Sequence, residues 1–309
     1  MIDLLGKRYI FFAISLLVII PGLIFLGIFG LPLAIDFTGG TLLEVSFASG
    51  NPPQPAEVIA IYEEFGIDDT QVQVTGESTV IARSSFLEDE TLQGQIIDRM
   101  SEEFNDTVTL LSADSVGPTI GREVAGRAAL AVGIAAVIVI IYMTFAFRGI
   151  ENSLRYGICA IVAMIHDVGI VISLAVIGGK FFGWQADALF VTALLTVIGF
   201  SVQDKIVVFD RIRENSKTLR RLPFETLVNH SIIQTLQRSI NTQLMTVEFM
   251  LLALVLFGGV TLREFALILL VGLFSGTYSS IFIAAPILVV WEKKEWRNWF
   301  KRSTGAASA

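Results

Sequence analysis

The sequence predicts an α-helical integral membrane protein with six transmembrane helices and one small α+β domain exported between the first and the second. Three observations carry that expectation. Of the 309 residues 53% are hydrophobic, and the mean hydropathy is +0.69, a composition that belongs in lipid rather than in a soluble domain. Six apolar stretches reach the roughly 20 residues that a bilayer crossing needs. They lie at residues 9–31, 128–147, 154–178, 189–209, 236–257 and 265–291. Between the first two stretches runs a polar, acidic segment whose hydrophobic residues switch between strand and helix periods. The chain divides accordingly into residues 1–34 (N-terminus and first span), 35–115 (exported domain), 116–292 (the other five spans) and 293–309 (a C-terminal tail).

Lys7 and Arg8 precede the first stretch as they would a signal peptide. Its apolar run is too long for a signal core and no A-x-A site follows, so an uncleaved helix is expected. In the exported segment, residues 41–47 (TLLEVSF) alternate as a half-buried strand does. A Pro-rich loop leads to a short helix over 56–65 that ends at Gly66. Residues 71–75 and 79–83 form a hairpin through Gly76-Glu77-Ser78. Residues 88–104 then place Leu92, Ile96, Ile97, Met100 and Phe104 on one helical face, with acids in the first turn where the helix dipole favours them. A last strand covers 107–111. This βαββαβ order is that of a ferredoxin-like domain. It holds no catalytic constellation, so it reads as a contact module, and the chain is not expected to be an enzyme.

Basic residues fix the expected orientation. Lys7 and Arg8, then Arg148 and Arg155, then Lys205 to Arg238, then Lys293 to Arg302 all fall on alternate connections, which makes those regions and both termini cytoplasmic. The opposite side carries residues 31–115, with sixteen acidic residues against Arg83 and Arg99, a net of −14 in a chain whose total is −7. Such a surface repels nucleic acid; it either attracts a cationic partner or is simply solvated. Cys159 is the sole cysteine, which excludes an internal disulfide, and His166 and His230 are too few to suggest a metal centre. No GxxxxGK[ST] occurs, so ATP is not the expected energy source.

Asp204 is the residue that the apolar pattern does not accommodate. It interrupts residues 188–209, and an unpaired carboxylate in hydrocarbon costs several kcal/mol, so such groups mark ion or proton pathways. It lies seven residues, about 10 Å of helix, before Arg211. Arg238 opens the following span from the same side, so the two can sit at one depth on antiparallel neighbours, with Thr242 on the arginine's face. A carboxylate beside a guanidinium can switch protonation as a relay does; a permanent ion pair locking two helices is the alternative. Asp167 is a second candidate, about 100° round the helix from His166. Glu248 is either a proton-access group or an interfacial glutamate.

Several motifs resemble those of one family. Ile35-Asp36-Phe37-Thr38-Gly39-Gly40-Thr41 is similar to the signature that opens the exported domain in the SecF branch of the SecD/SecF protein-export family. Val116-Gly117-Pro118-x-Ile120-Gly121, His166-Asp167, Asp204 with the run Val207 to Glu214 (including Asp210 and Arg211), and Arg238-Ser239-Ile240-Asn241-Thr242 resemble its other motifs in the same order. Two positions depart from it: Gln203-Asp204-Lys205 where the family has Asn-Asp-Thr, and Gln243 where serine is common. The resemblance implies a subunit of the resistance-nodulation-division superfamily in a prokaryotic plasma membrane, contacting lipid and paired with SecD. It also implies assistance to the SecYEG channel in late export of a preprotein, with protons as coupling ion and no other cofactor. Asp204, Arg238, Asp167 and Thr242 are the coupling residues it implies. A half-subunit of a proton-driven small-molecule or lipid exporter is the alternative; such exporters usually carry larger exported domains and two six-span halves. A passive assembly scaffold is a third class.

Overall fold

The computed structural model describes residues 3–148, 153–257 and 260–295. After a short 3-10 turn come α1 (Arg8–Phe29), α2 (Ile35–Thr38), β1 (Gly40–Phe47), α3 (Pro55–Glu64), β2 (Gln71–Thr75), β3 (Thr79–Ser84), α4 (Glu90–Glu103) and β4 (Val108–Val116). The long helices follow: α5 (Pro118–Ala146), α6 (Ser153–Phe182), α7 (Ala188–Thr218), α8 (Phe224–Phe257) and α9 (Val260–Ser279). A π-helical turn, Ser280–Ala284, joins α9 to α10 (Ala285–Glu292). Pro286 near the start of α10 has no N–H to give a preceding turn, which suits a change of hydrogen-bond pattern there. Two compact units result. One holds the described residues of Met1–Gly30, Ile134–Ile177 and Thr192–Ala309; the other holds Leu31–Gly133 and Gly178–Val191.

The second unit contains a four-stranded antiparallel sheet in the order β2-β3-β1-β4. β1 sits inside the sheet because its alternate residues Leu43, Val45 and Phe47 face a core with Val80 and Ala82 of β3. Val58, Ile61 and Tyr62 of α3 and Ile96 and Met100 of α4 close that core. Leu92, Ile97 and Phe104 pack against its margin, the face that the spacing of α4 requires. Both helices are capped locally. Gln54 and Glu57 form a reciprocal capping box before α3, and the Asp89 carboxylate accepts the Thr91 N–H at 2.8 Å before α4. The last strand runs to Val116 rather than ending at residue 111, because the first residues of β1 need partners: Gly40 pairs with Val116 and Thr41 with Ser115. Those extra residues are largely exposed, so they lack the alternation that announces a strand.

In the first unit, apolar side chains point outward along α1; Leu17 is 75% and Ile28 68% exposed, as lipid-facing positions are. Small residues allow close helix approach: a Cβ on Gly22 would overlap Ser173, and one on Gly276 would stand 3.2 Å from Ser201 Cα. Arg8 bridges Glu225 and Glu295, each at 2.6 Å, while Lys293 pairs with Glu225 and Arg155 with Glu292. The beginnings of α1, α6 and α8 are thereby tied to the end of α10. Among the described residues, five helical segments are long and apolar enough to cross a membrane: Leu5–Phe29, Pro118–Ala146, Leu154–Phe182, Ala188–Thr218 and Leu262–Glu292. The chain is a multi-pass membrane protein. α8, at 34 residues the longest helix among the described residues, is not among the five; its first half carries Glu225, His230, Gln234, Gln237 and Arg238, and several side chains of its apolar second half lie outside the described residues.

Candidate functional site

Two polar centres form where α6, α7, α8 and α9 meet. The first is built around Asp167 of α6. On α7, Ser201 and Lys205 are one turn apart; on α9, Ser275 and Ser279 are too, so each pair shares a face. Asp167 Oδ2 accepts from Lys205 Nζ at 2.7 Å, Ser201 Oγ at 2.6 Å and Ser279 Oγ at 2.6 Å. Oδ1 accepts from Ser275 Oγ at 2.7 Å and His166 Nδ1 at 3.0 Å. Lys205 also donates to the Ser201 carbonyl at 3.2 Å and to Ser201 Oγ. Both charged side chains are sealed, at 1% and 0% exposure. A buried ion pair survives its desolvation only with good geometry and with its remaining lone pairs and protons satisfied; this one has both. The His166 ring stacks on Tyr278, and its Nε2 has no hydrogen-bond partner among the described residues.

The second centre is Asp204, half-buried on α7 and next in sequence to Lys205, yet turned to different neighbours. Its Oδ2 accepts from Thr277 Oγ1 of α9 at 2.7 Å. Gln243 of α8 lies on the far side of that hydroxyl, its Oε1 3.1 Å from Thr277 Oγ1 while Nε2 is buried without a partner. A hydroxyl has one proton to give. Turning the Gln243 amide by 180° makes Nε2 the donor to Thr277, frees Thr277 to donate to Asp204, and moves Oε1 into the buried position without a partner. The chain Gln243–Thr277–Asp204 then ends on a carboxylate that, among the described residues, accepts one side-chain bond, where Asp167 takes five.

The expected Asp204–Arg238 pair is not formed. Arg238 and Thr242 are exposed on α8, Thr242 Oγ1 donates to the Arg238 carbonyl at 2.9 Å, and among the described residues Arg238 makes no ion pair. Arg238, Thr242, Gln234, Gln237 and Asn241 line an open groove of about 540 Å³ instead. Gln243 is five residues past Arg238 and so about 140° round the helix, which is why α8 presents the glutamine and not the arginine to Asp204. His166 and Asp167, about 100° apart round α6, bond each other directly, while His166 also stacks on Tyr278 and Asp167 turns to Lys205 and the serines. The side chain of Glu248 lies outside the described residues.

The other motif residues hold structure. Asp36 accepts the Ala188 N–H at 3.0 Å, and Phe37 is buried. Gly39 and Gly40 adopt φ of 77° and 138°; a Cβ would stand 2.7 Å from Pro118 Cα in one case and 2.6 Å from the Ser84 carbonyl in the other. Gly117 precedes Pro118, the first residue of α5. Asp210 pairs with Arg213, and Arg211 with Glu214 and, at 2.6 Å, Gln234. Sequence reasoning missed Ser201, Ser275, Thr277 and Ser279. Their signal was the spacing of hydroxyls one turn apart in apolar helices, which is common and names no partner.

The family description "Protein export membrane protein SecD/SecF, C-terminal" matches residues 96–294, and the SecD/SecF GG motif matches residues 24–50. The chain is 70% identical to a protein translocase subunit SecF from Anaerolinea thermophila, and 45% identical to one from Thermobaculum terrenum, over the full length of both partners in each case. The crystal structure of SecDF, a translocon-associated membrane protein from Thermus thermophilus, superposes with a TM-score of 0.81 at 32% identity, covering 94% of this chain and 39% of that longer one.

Proposed function

The chain belongs to the SecD/SecF family of protein-export membrane proteins, and from that premise we propose that it works as the SecF subunit of a SecDF complex. In this role it assists the Sec translocase, pairing with SecD beside the SecYEG channel and using proton movement to help a preprotein through the plasma membrane. The observation that carries this reading is the full-length 70% identity to a translocase subunit SecF, joined to a carboxylate on α7 held by one hydroxyl. α8 supplies the sixth span: its second half is apolar, and polar side chains on its first half line an open groove that lipid would not solvate. A SecD half laid against that groove satisfies them, and the solved SecDF chain that resembles this one over 39% of its length is consistent with such a partner. The ion pairs among the ends of α1, α6, α8 and α10 support placing these ends together on the cytoplasmic side. The strand order β2-β3-β1-β4 supports a ferredoxin-like contact domain on the other side.

Asp204 is the proton-coupling group, and Thr277 and Gln243 set its environment. Asp167 with Lys205 is a fixed ion pair that locks α6 to α7. Arg238 and Thr242 act at the groove that receives the partner, not through direct contact with Asp204. The test is Asp204→Asn in the native complex: it inserts and assembles normally, and export loses its proton-dependent part. Normal proton-stimulated export in that variant would defeat the proposal.

A further inference from the structure

The exported unit reaches the ends of two helices that carry the membrane carboxylates. At the first residue of α7, the Ala188 N–H donates to Asp36 Oδ2 at 3.0 Å. Beside it the chain preceding α2 runs parallel to the turn preceding α7: Ala186 N donates to the Pro32 carbonyl at 2.7 Å, and Ala34 N to the Ala186 carbonyl at 2.9 Å, pairing Leu33 with Ala186. At the last residue of α6, the Phe182 carbonyl accepts from Gln73 Nε2 of β2 at 2.7 Å. Gln73 is itself held, its Oε1 accepting from Arg83 Nη1 at 3.4 Å. The approach needs the glycine that follows α6: Gly183 has φ of 71°, and a Cβ on it would lie 2.7 Å from Gln73 Oε1. Gly179 gives the same clearance to Pro32, whose ring would be 2.4 Å from its Cβ.

These bonds fall on the groups that a helix leaves without internal partners, the N–H groups at its start and the carbonyls at its end. A carboxylate at the start of α7 also meets the favourable end of the helix dipole. Each helix then runs unbroken to its carboxylate: Phe182 is about 22 Å along α6 from Asp167, and Ala188 about 24 Å along α7 from Asp204. We propose that Asp36 and Gln73 are positioning residues of a fixed two-point strut, through which displacement of the exported domain is delivered along α6 and α7 to the Asp167–Lys205 and Asp204 centres. The strut rests on the export reading above and assigns Asp36 a part in coupling rather than in domain folding alone.

The experiment uses the full chain in its native complex and reads proton-stimulated export separately from the unstimulated share. Asp36→Ala is expected to insert, assemble and keep unstimulated export while its stimulated share falls about five-fold, the scale of a lost helix cap. Asp36→Asn retains an oxygen that accepts the same N–H and is expected to keep most of the stimulation. Gln73→Ala is expected to lose about two-fold. Crosslinking Leu33→Cys to Ala186→Cys should leave stimulation intact, because the junction stays closed; loss on oxidation with recovery on reduction would overturn a fixed strut. Full stimulation in Asp36→Ala, or equal loss in Asp36→Ala and Asp36→Asn, would overturn it as well. Hydrogen exchange separates this outcome from failure of the export reading. Amides at residues 188–191 should exchange faster in Asp36→Ala, and unchanged exchange there sinks the strut whether or not Asp204→Asn blocks stimulation.

Discussion

Asp167 and Asp204 stand on adjoining helices, both are carboxylates in apolar runs, and they differ in almost everything that decides what a carboxylate can do. Asp167 is sealed, faces an ammonium and accepts from four further side chains. Asp204 is half-buried, and among the described residues the side-chain bond it accepts comes from a threonine hydroxyl. A carboxylate with every lone pair committed can gain a proton only by breaking a network, whereas one held by a hydroxyl need only let that hydroxyl rotate. The first arrangement suits a lock and the second a switch. The difference lies in the neighbours on α9, where Ser275 and Ser279 meet Asp167 and Thr277, between them, meets Asp204.

The largest expected effect breaks the lock. Lys205→Met leaves Asp167 buried without its counter-charge, a change that costs about 3–5 kcal/mol when one partner of a buried pair is removed. Steady-state level and thermal unfolding in mild detergent should both drop sharply. Adding Asp167→Leu to that variant removes the orphaned charge, and the freed serines can turn to carbonyls of their own helices, so most of the loss should return. If Lys205→Met alone is as stable as the parent, the pair is no lock.

The next effect separates the two carboxylates directly. Asp204→Asn keeps an acceptor for Thr277 and should change stability by under about 1 kcal/mol while removing proton-stimulated export. Asp167→Asn strands Lys205 instead and should lower the amount of folded protein before any functional assay is read. Equal stability losses in both variants would erase the distinction between lock and switch.

How far the sequence reached follows the same division. Asp167 and Asp204 were legible because a charge in an apolar run needs no partner to be noticed. Their partners were not, because they depend on the rotation of each helix against the next. Spacing shows that Ser275 shares a face with Ser279 but not which helix that face meets. Shared depth lets Arg238 meet Asp204, but the 140° between Arg238 and Gln243 puts them on different faces, and only the rotation of α8 decides that the glutamine is the one turned inward. Within the exported domain the periods of β1 and α4 gave their faces, since apolar alternation is local to each element; the end of β4 was lost where an exposed edge has no apolar side to mark it.

A smaller effect should refine the switch. Thr277→Val removes the hydroxyl and leaves both Asp204 and Gln243 without their shared partner, so proton-stimulated export should fall about ten-fold, the scale of one hydrogen bond to a charged group. Thr277→Ser restores the hydroxyl and should recover most of it. Gln243→Leu removes only the outer member and should lose less than Thr277→Val. A larger loss in Gln243→Leu would mean that the glutamine acts on Asp204 by another route than the threonine.

The smallest effect comes from a carboxylate outside the membrane that is neither lock nor switch. Asp106 is partly exposed at the domain surface, accepts from the Ser49 N–H at 3.1 and 3.2 Å and from the Thr107 N–H at 2.7 Å, and thereby ties the loop after β1 to the start of β4. The bond from Ser49, with the Thr107 amide, holds its carboxyl below the usual aspartate range. A group whose folded value is depressed adds stability above its unfolded value and loses it as pH falls through the folded one. Amides of residues 48–50 and 107–109 should therefore exchange more slowly in the parent than in Asp106→Ala at neutral pH. After correction for intrinsic rates, that gap should close once the pH drops below the normal aspartate range. Because the group is solvated, the gap should also be small beside the effect of Lys205→Met on unfolding. A gap that persists unchanged into acid would show that Asp106 holds the loop through shape rather than through its charge, and that the contrast between Asp167 and Asp204 does not extend to exposed carboxylates.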